Sequence, residues 1–178
     1  MKKNKAINTL TYTGIVTLSQ YLGNKKTVVY RSHNEGGSVL FNFFANCLIG
    51  DFSNANKSLP TKVMFLTKPT ASSNYTPVNP SAFTHLLTTP ERDYEGDIPC
   101  VRYSFVIPKD RVVVARTNEN IYLGLYNEEN TDPADAELAQ KYMAVCPVDL
   151  TGSSANAALV VDWELFISNP PTSNNDSN

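Results

Sequence analysis

The sequence predicts a mostly β fold with one buried helix, an α+β arrangement in which an antiparallel β-sandwich or partly open barrel packs on a helix at about residues 38–49. Three observations predict it. Most segments alternate apolar and polar residues at the period of a strand. Gly, Pro, Asn and Asp separate those segments at short intervals. One stretch alone changes to a helical period: Leu40, Phe43, Phe44, Cys47 and Leu48 follow the i, i+3, i+4, i+7, i+8 spacing of one helix face, with Asn42, Ala45 and Asn46 opposite. Burying each large apolar side chain is worth roughly 1.5–3 kcal/mol, so that face needs a cover, and a sheet is the cover available. At 178 residues the chain suffices for one domain with a sizeable core. The expected organisation is a flexible arm over 1–8, one β-rich domain over 9–169 and a flexible tail over 170–178.

The elements follow in order. Leu10, Tyr12, Gly14, Val16 and Leu18 alternate with Thr9, Thr11, Thr13, Thr17 and Ser19, which reads as a long half-buried strand. Gly23-Asn24 marks a turn, and Thr27–Ser32 is the returning strand of a hairpin. Asn34 or Ser38 caps the helix, Gly36-Gly37 gives it a flexible entry, and Gly50 suits the left-handed position after its end. Lys62–Thr67 is a strand, Lys68–Pro80 a surface loop and Ala82–Thr88 a short strand. Val101–Ile107 alternates, and Pro108-Lys109-Asp110 is expected to turn it back onto Arg111–Ala115 as a hairpin. Asn120–Tyr126 is a strand, and Ala134–Lys141 a turn or two of surface helix. Tyr142–Val148 and Ala157–Ser168 close the fold, the latter with Leu159, Val161, Trp163, Leu165 and Ile167 in one apolar row.

Charged residues make up 18% of the chain, below the roughly 25% of an average globular domain, so its polar surface is mostly neutral Asn, Thr and Ser. A net charge of −2 argues against binding nucleic acid through its phosphates, and direct sequence-specific binding is not expected. Lys2, Lys3 and Lys5 precede apolar residues, but Thr9, Thr11, Thr13, Thr17 and Ser19 interrupt the run, so no signal peptide is read there. No segment approaches the roughly 20 apolar residues of a membrane span, and no membrane insertion is expected. Cys47, Cys100 and Cys146 are odd in number and lie apart among apolar neighbours, which fits buried free thiols in a chain made in a cytoplasm.

Catalytic chemistry has little to draw on. His33 and His85 are the two histidines, and neither stands in a nucleophile or metal-ligand pattern. The sequence therefore gives no catalytic, cofactor or metal residues. Asp93, Glu95 and Asp97 alternate around Tyr94, but the remainder of a calcium loop is missing, and a solvated acidic loop is the plainer reading. Trp163, Tyr12 and Tyr103 fall on the apolar sides of their strands, where core packing explains them. Tyr75 and Tyr94 fall in expected loops and are natural candidates for exposure. With Asp93, Glu95 and Asp97 they are the candidate interface positions, and the alternative reading makes exposed rings a glycan- or receptor-binding surface.

The segment Val29-Tyr30-Arg31-Ser32-His33-Asn34-Glu35-Gly36-Gly37-Ser38-Val39-Leu40-Phe41, followed by Leu48-Ile49-Gly50, resembles small structural proteins of tailed bacteriophages. In these a strand ending in His-Asn-x-Gly runs into a helix that carries Leu-Phe and closes with Leu-x-Gly. The closing strand Leu159–Ile167 is similar in style to their last strand, and the Asn-, Thr- and Ser-rich composition resembles virion proteins of phages of gut Bacteroidetes, the crAss-like group included. The resemblance implies a neck, tail or capsid-associated component whose partners are other virion proteins and copies of itself. An edge-rich β domain must protect its open edges, and packing copies into rings or lattices does so.

Overall fold

The computed structural model describes residues 13–53, 59–68, 74–78, 84–85, 91–95, 98–127 and 141–166. The expected arm and tail, Tyr12, Asp97 and, Lys141 aside, the expected helix after Ala134 lie outside them.

Among the described residues ten strands form one continuous antiparallel sheet that does not close. They are β1 Thr13–Leu22, β2 Lys25–Gly36, β3 Pro60–Thr67, β4 Thr76–Pro77, β5 Thr84–His85, β6 Glu91–Glu95, β7 Ile98–Ile107, β8 Ile121–Asn127, β9 Ala144–Pro147 and β10 Leu159–Phe166. Their order is β4-β3-β8-β9-β2-β1-β10-β7-β6, with β5 also on β3. Helix α1 spans Ser38–Leu48 and α2 spans Lys109–Arg116. The architecture is thus mostly β with helices, an open antiparallel sheet of the predicted class.

The long strand β2 joins the two halves of this sheet, pairing with β1 along most of its length and with β9 at Glu35 and Gly36. One core lies between the halves. Val16, Leu18, Tyr103, Phe105, Val161 and Trp163 from one half meet Val63, Phe65, Leu123, Leu125 and Cys146 from the other, all buried. The strand period puts these residues on one face. On the opposite face of β3 and β8, Met64, Leu66 and Tyr126 make a second buried layer with Tyr75 and Val145. Trp163 and Tyr103 are core residues, as their alternation predicts.

The β1–β2 hairpin turns at Gly23, whose φ of 64° is one that glycine adopts without strain. Gly50 follows α1 at φ 77°, and the Gly50 and Asp51 amides donate to the carbonyls of Cys47 and Asn46.

Three local expectations are corrected. The helix cap is Gly37, with no side-chain cap bond, because Asn34 is used elsewhere. Gly37 is a tight contact rather than a flexible entry: its amide donates to Met143 O at 2.6 Å, and a Cβ there would overlap the Tyr142 carbonyl. The run Arg111–Ala115 is helix α2, not the second arm of a hairpin. Its Val112 and Ala115 are buried at helical i, i+3 spacing, Asp110 stands in the first turn and Arg116 in the last, which suits the helix dipole and outweighs the strand preference of three consecutive valines.

Candidate functional site

Helix α1 carries no charged residue, and no charge occurs from Gly36 to Gly50. Leu40 is fully buried, while Phe43, Phe44 and Cys47 are half-buried, with the two phenyl rings 5.5 Å apart. Burial pushes the Tyr103 phenol up, and Cys47 at the end of α1 adds to that shift. Leu48, expected on the buried face, is 80% exposed. The exposure of Leu48 has a geometric cause. At about 100° per residue Leu48 stands some 80° round the helix from Leu40, nearer to the stripe of Phe41 and Ala45.

That stripe faces water. Phe41 is 59% exposed, and beyond Leu48 the chain continues with Ile49 at 76% and Phe52 at 64%. Side chains of this size leave on the order of 500 Å² of apolar surface in water, the upper range for the largest patch of a monomer. A helix apolar on nearly every side is ordinarily a buried one. A second apolar group sits at the β1–β2 hairpin, where Tyr21, Leu22 and Val28 are 55%, 55% and 59% exposed. The pairs Tyr21↔Lys26 and Ser19↔Val28 put Tyr21 and Val28 diagonally on one face.

Of the predicted interface positions, Tyr75, Asp93, Tyr94 and Glu95 lie among the described residues. Tyr75 is buried, not exposed: its ring meets Tyr122 and Tyr142 edge-on at 5.1 and 5.4 Å, and the Lys68 ammonium stands 5.1 Å above it. Burial, with the neighbouring phenols and Glu35, pushes the Tyr75 hydroxyl up to about 12. An apolar layer on the outer face of β3 and β8 draws Tyr75 in, which the polar residues around it in sequence conceal. Asp93, Tyr94 and Glu95 lie in β6, paired with Cys100, Pro99 and Ile98 of β7, rather than in a loop. His33 sits on β2 opposite Ile15, and His85 on β5 opposite Lys62.

An open cleft of about 650 Å³ lies where the connection after α2 meets the segment after β9. Tyr30, Tyr122 and Ile121 provide apolar wall, and Arg116, Asn118, Asn120 and Asp149 provide polar edge. The Arg116 guanidinium donates to the Ser153 carbonyl, Asn118 Nδ2 donates to Val114 O at 3.0 Å, and Asp149 Oδ1 accepts from the Thr151 amide at 2.8 Å. That amide holds the exposed Asp149 carboxyl below its ordinary value. Sequence reasoning missed this cleft, since its residues come from separate segments with no common motif. Among the described residues no group of three or more His, Cys, Asp and Glu stands together as a metal site.

No family model matches the chain, and no curated protein and no solved structure matches it.

Proposed function

We propose that this chain is a non-enzymatic structural subunit of a tailed-phage virion, which assembles with copies of itself and with other virion proteins into a ring or lattice. A neck or tail ring, or a connector, is the first place for it, and the capsid the second. The observation that carries the reading is the uncharged, apolar α1 surface left in water by the single chain, with Phe41, Leu48, Ile49 and Phe52 all more than half exposed. Interface cores are depleted in charge and enriched in aromatic residues, as this surface is. The resemblance of Val29–Phe41 and Leu159–Ile167 to phage structural proteins supplies the setting. No described helix is long and apolar enough to cross a membrane.

Light scattering at rising protein concentration, followed by electron microscopy, tests the proposal. A closed oligomer with rotational symmetry is the expected result. A monomer at every concentration, in crowding agents as well as dilute buffer, overturns it.

A second reading, a glycan-binding module, is favoured by the cleft at Tyr30 and Tyr122, whose rings and flanking amides suit a neutral saccharide. A glycan array separates the two readings: specific binding lost on Tyr30→Ala supports the module, and no binding removes it.

A further inference from the structure

Two apolar patches on one chain raise the question of what each one meets. A patch that meets its own copy gives an isologous dimer and stops there, whereas two different patches that meet each other give a head-to-tail contact, and such contacts build rings. The α1 patch and the hairpin patch are separate. The turn Gly23-Asn24 lies at the start of β2, and α1 begins just beyond its end at Gly36. A strand from Lys25 to Gly36 covers roughly 35–40 Å at about 3.3 Å per residue, so α1 departs from the end of β2 far from the turn.

The charges at the two patches complement each other. The last turn of α1 holds no basic residue, so its carbonyl end keeps the negative pole of the helix dipole beside the exposed Leu48 and Ile49. The hairpin tip presents Lys25 beside Leu22, and Lys26 next to Tyr21 and Val28, with Lys26 held by Asp162 at 2.9 Å. One α1 against one hairpin tip brings a negative pole to lysine and apolar side chains to apolar side chains.

We propose that the β1–β2 hairpin tip of one copy docks on the exposed face and C-terminal end of α1 in the next, so that copies join head to tail. This rests on the assembly reading above, and names the surface that α1 takes as its partner.

Three proteins test it: the natural chain, a helix variant Leu48→Ser with Ile49→Ser, and a hairpin variant Tyr21→Ser with Val28→Ser. All four positions are more than half exposed, so thermal melting at monomeric dilution should stay within a few degrees of the natural chain and certify folding. Masses are measured by analytical ultracentrifugation. The expected result is an oligomeric natural chain, two variants each monomeric alone, and a one-to-one heterodimer when they are mixed, because the mixture retains one intact helix and one intact hairpin. A hairpin variant that assembles as the natural chain does overturns the head-to-tail contact and leaves the assembly reading standing, as does a mixture in which the variants stay apart. A monomeric natural chain overturns both.

Discussion

The indole Nε1 of Trp163 donates to Oδ1 of Asn34 at 3.1 Å, inside the core and across β1 from β10 to β2. Asn34 pairs with Gly14, and a Cβ on Gly14 would overlap the Asn34 amide oxygen. Three strands thus share one buried polar contact, and the absence of a side chain at Gly14 makes room for it. Asn34→Ala should cost about 1–3 kcal/mol, since it leaves a buried N–H unpaired. Gly14→Ala should be destabilising in the natural chain and markedly less so when combined with Asn34→Ala. Urea denaturation of the two single variants and the double variant measures that coupling.

Leu40 and Leu48 occupy the same helix with opposite environments. Leu40→Ala should lower stability by about 2–5 kcal/mol, as a buried leucine does, whereas Leu48→Ala should change it by no more than about 0.5 kcal/mol. Chemical denaturation of both at a concentration where the chain is monomeric checks the contrast, and equal losses would show α1 covered on both sides.

Much of this arrangement is legible in the sequence. The alternation of β1 and β10 gives each strand its inward face, and Val16 and Trp163 lie buried where that period puts them. The periodicity of α1 is equally plain, but it reports only which residues share a face. It does not say how far the cover extends, so Leu48 reads as core and stands in water. Val112–Val114 reads as strand because valine is β-branched, while the Asp110 and Arg116 positions that favour a helix are weaker signals. Tyr75 is buried by Tyr122 and Tyr142, distant in sequence, and the cleft at Tyr30 and Asn118 likewise exists only once the chain is folded.

The outer face of β7 and β10 carries two ion pairs of unequal burial. Arg102 Nε and Nη2 reach Glu164 Oε1 at 3.1 and 2.7 Å, and the Glu164 side chain is 11% exposed. Lys26 reaches Asp162 at 2.9 Å in a more open setting. Arg102→Met should cost about 1–3 kcal/mol by stranding a nearly buried carboxylate. Lys26→Met should cost under about 1 kcal/mol, and added salt should weaken its effect further. Thermal melts of both variants at low and high ionic strength test the ranking.

Alkaline pH should unfold the chain through its buried acids. Burial pushes the Tyr103 phenol from 10.0 up to about 12, with Cys47 adding to the shift, and burial pushes the Cys146 thiol from 9.0 to about 12 against a hydrogen bond with Ser32. Both groups stay neutral in the folded chain at pH values where the unfolded chain has lost their protons. Their contribution is therefore intact below about pH 9 and is lost as pH rises toward 12, at up to about 1.4 kcal/mol per pH unit for each group. Melting temperatures between pH 8 and pH 11 should fall with a slope that Tyr103→Phe makes shallower; an unchanged slope would contradict the assignment to Tyr103.

The most direct test of the central claim compares the solution mass of the natural chain with that of a Phe41→Ser, Leu48→Ser variant at matched concentrations. If the exposed face of α1 exists to join copies, the natural chain is an oligomer and the variant a monomer, with the same melting temperature for both measured at monomeric dilution. Identical masses for the two proteins would contradict it.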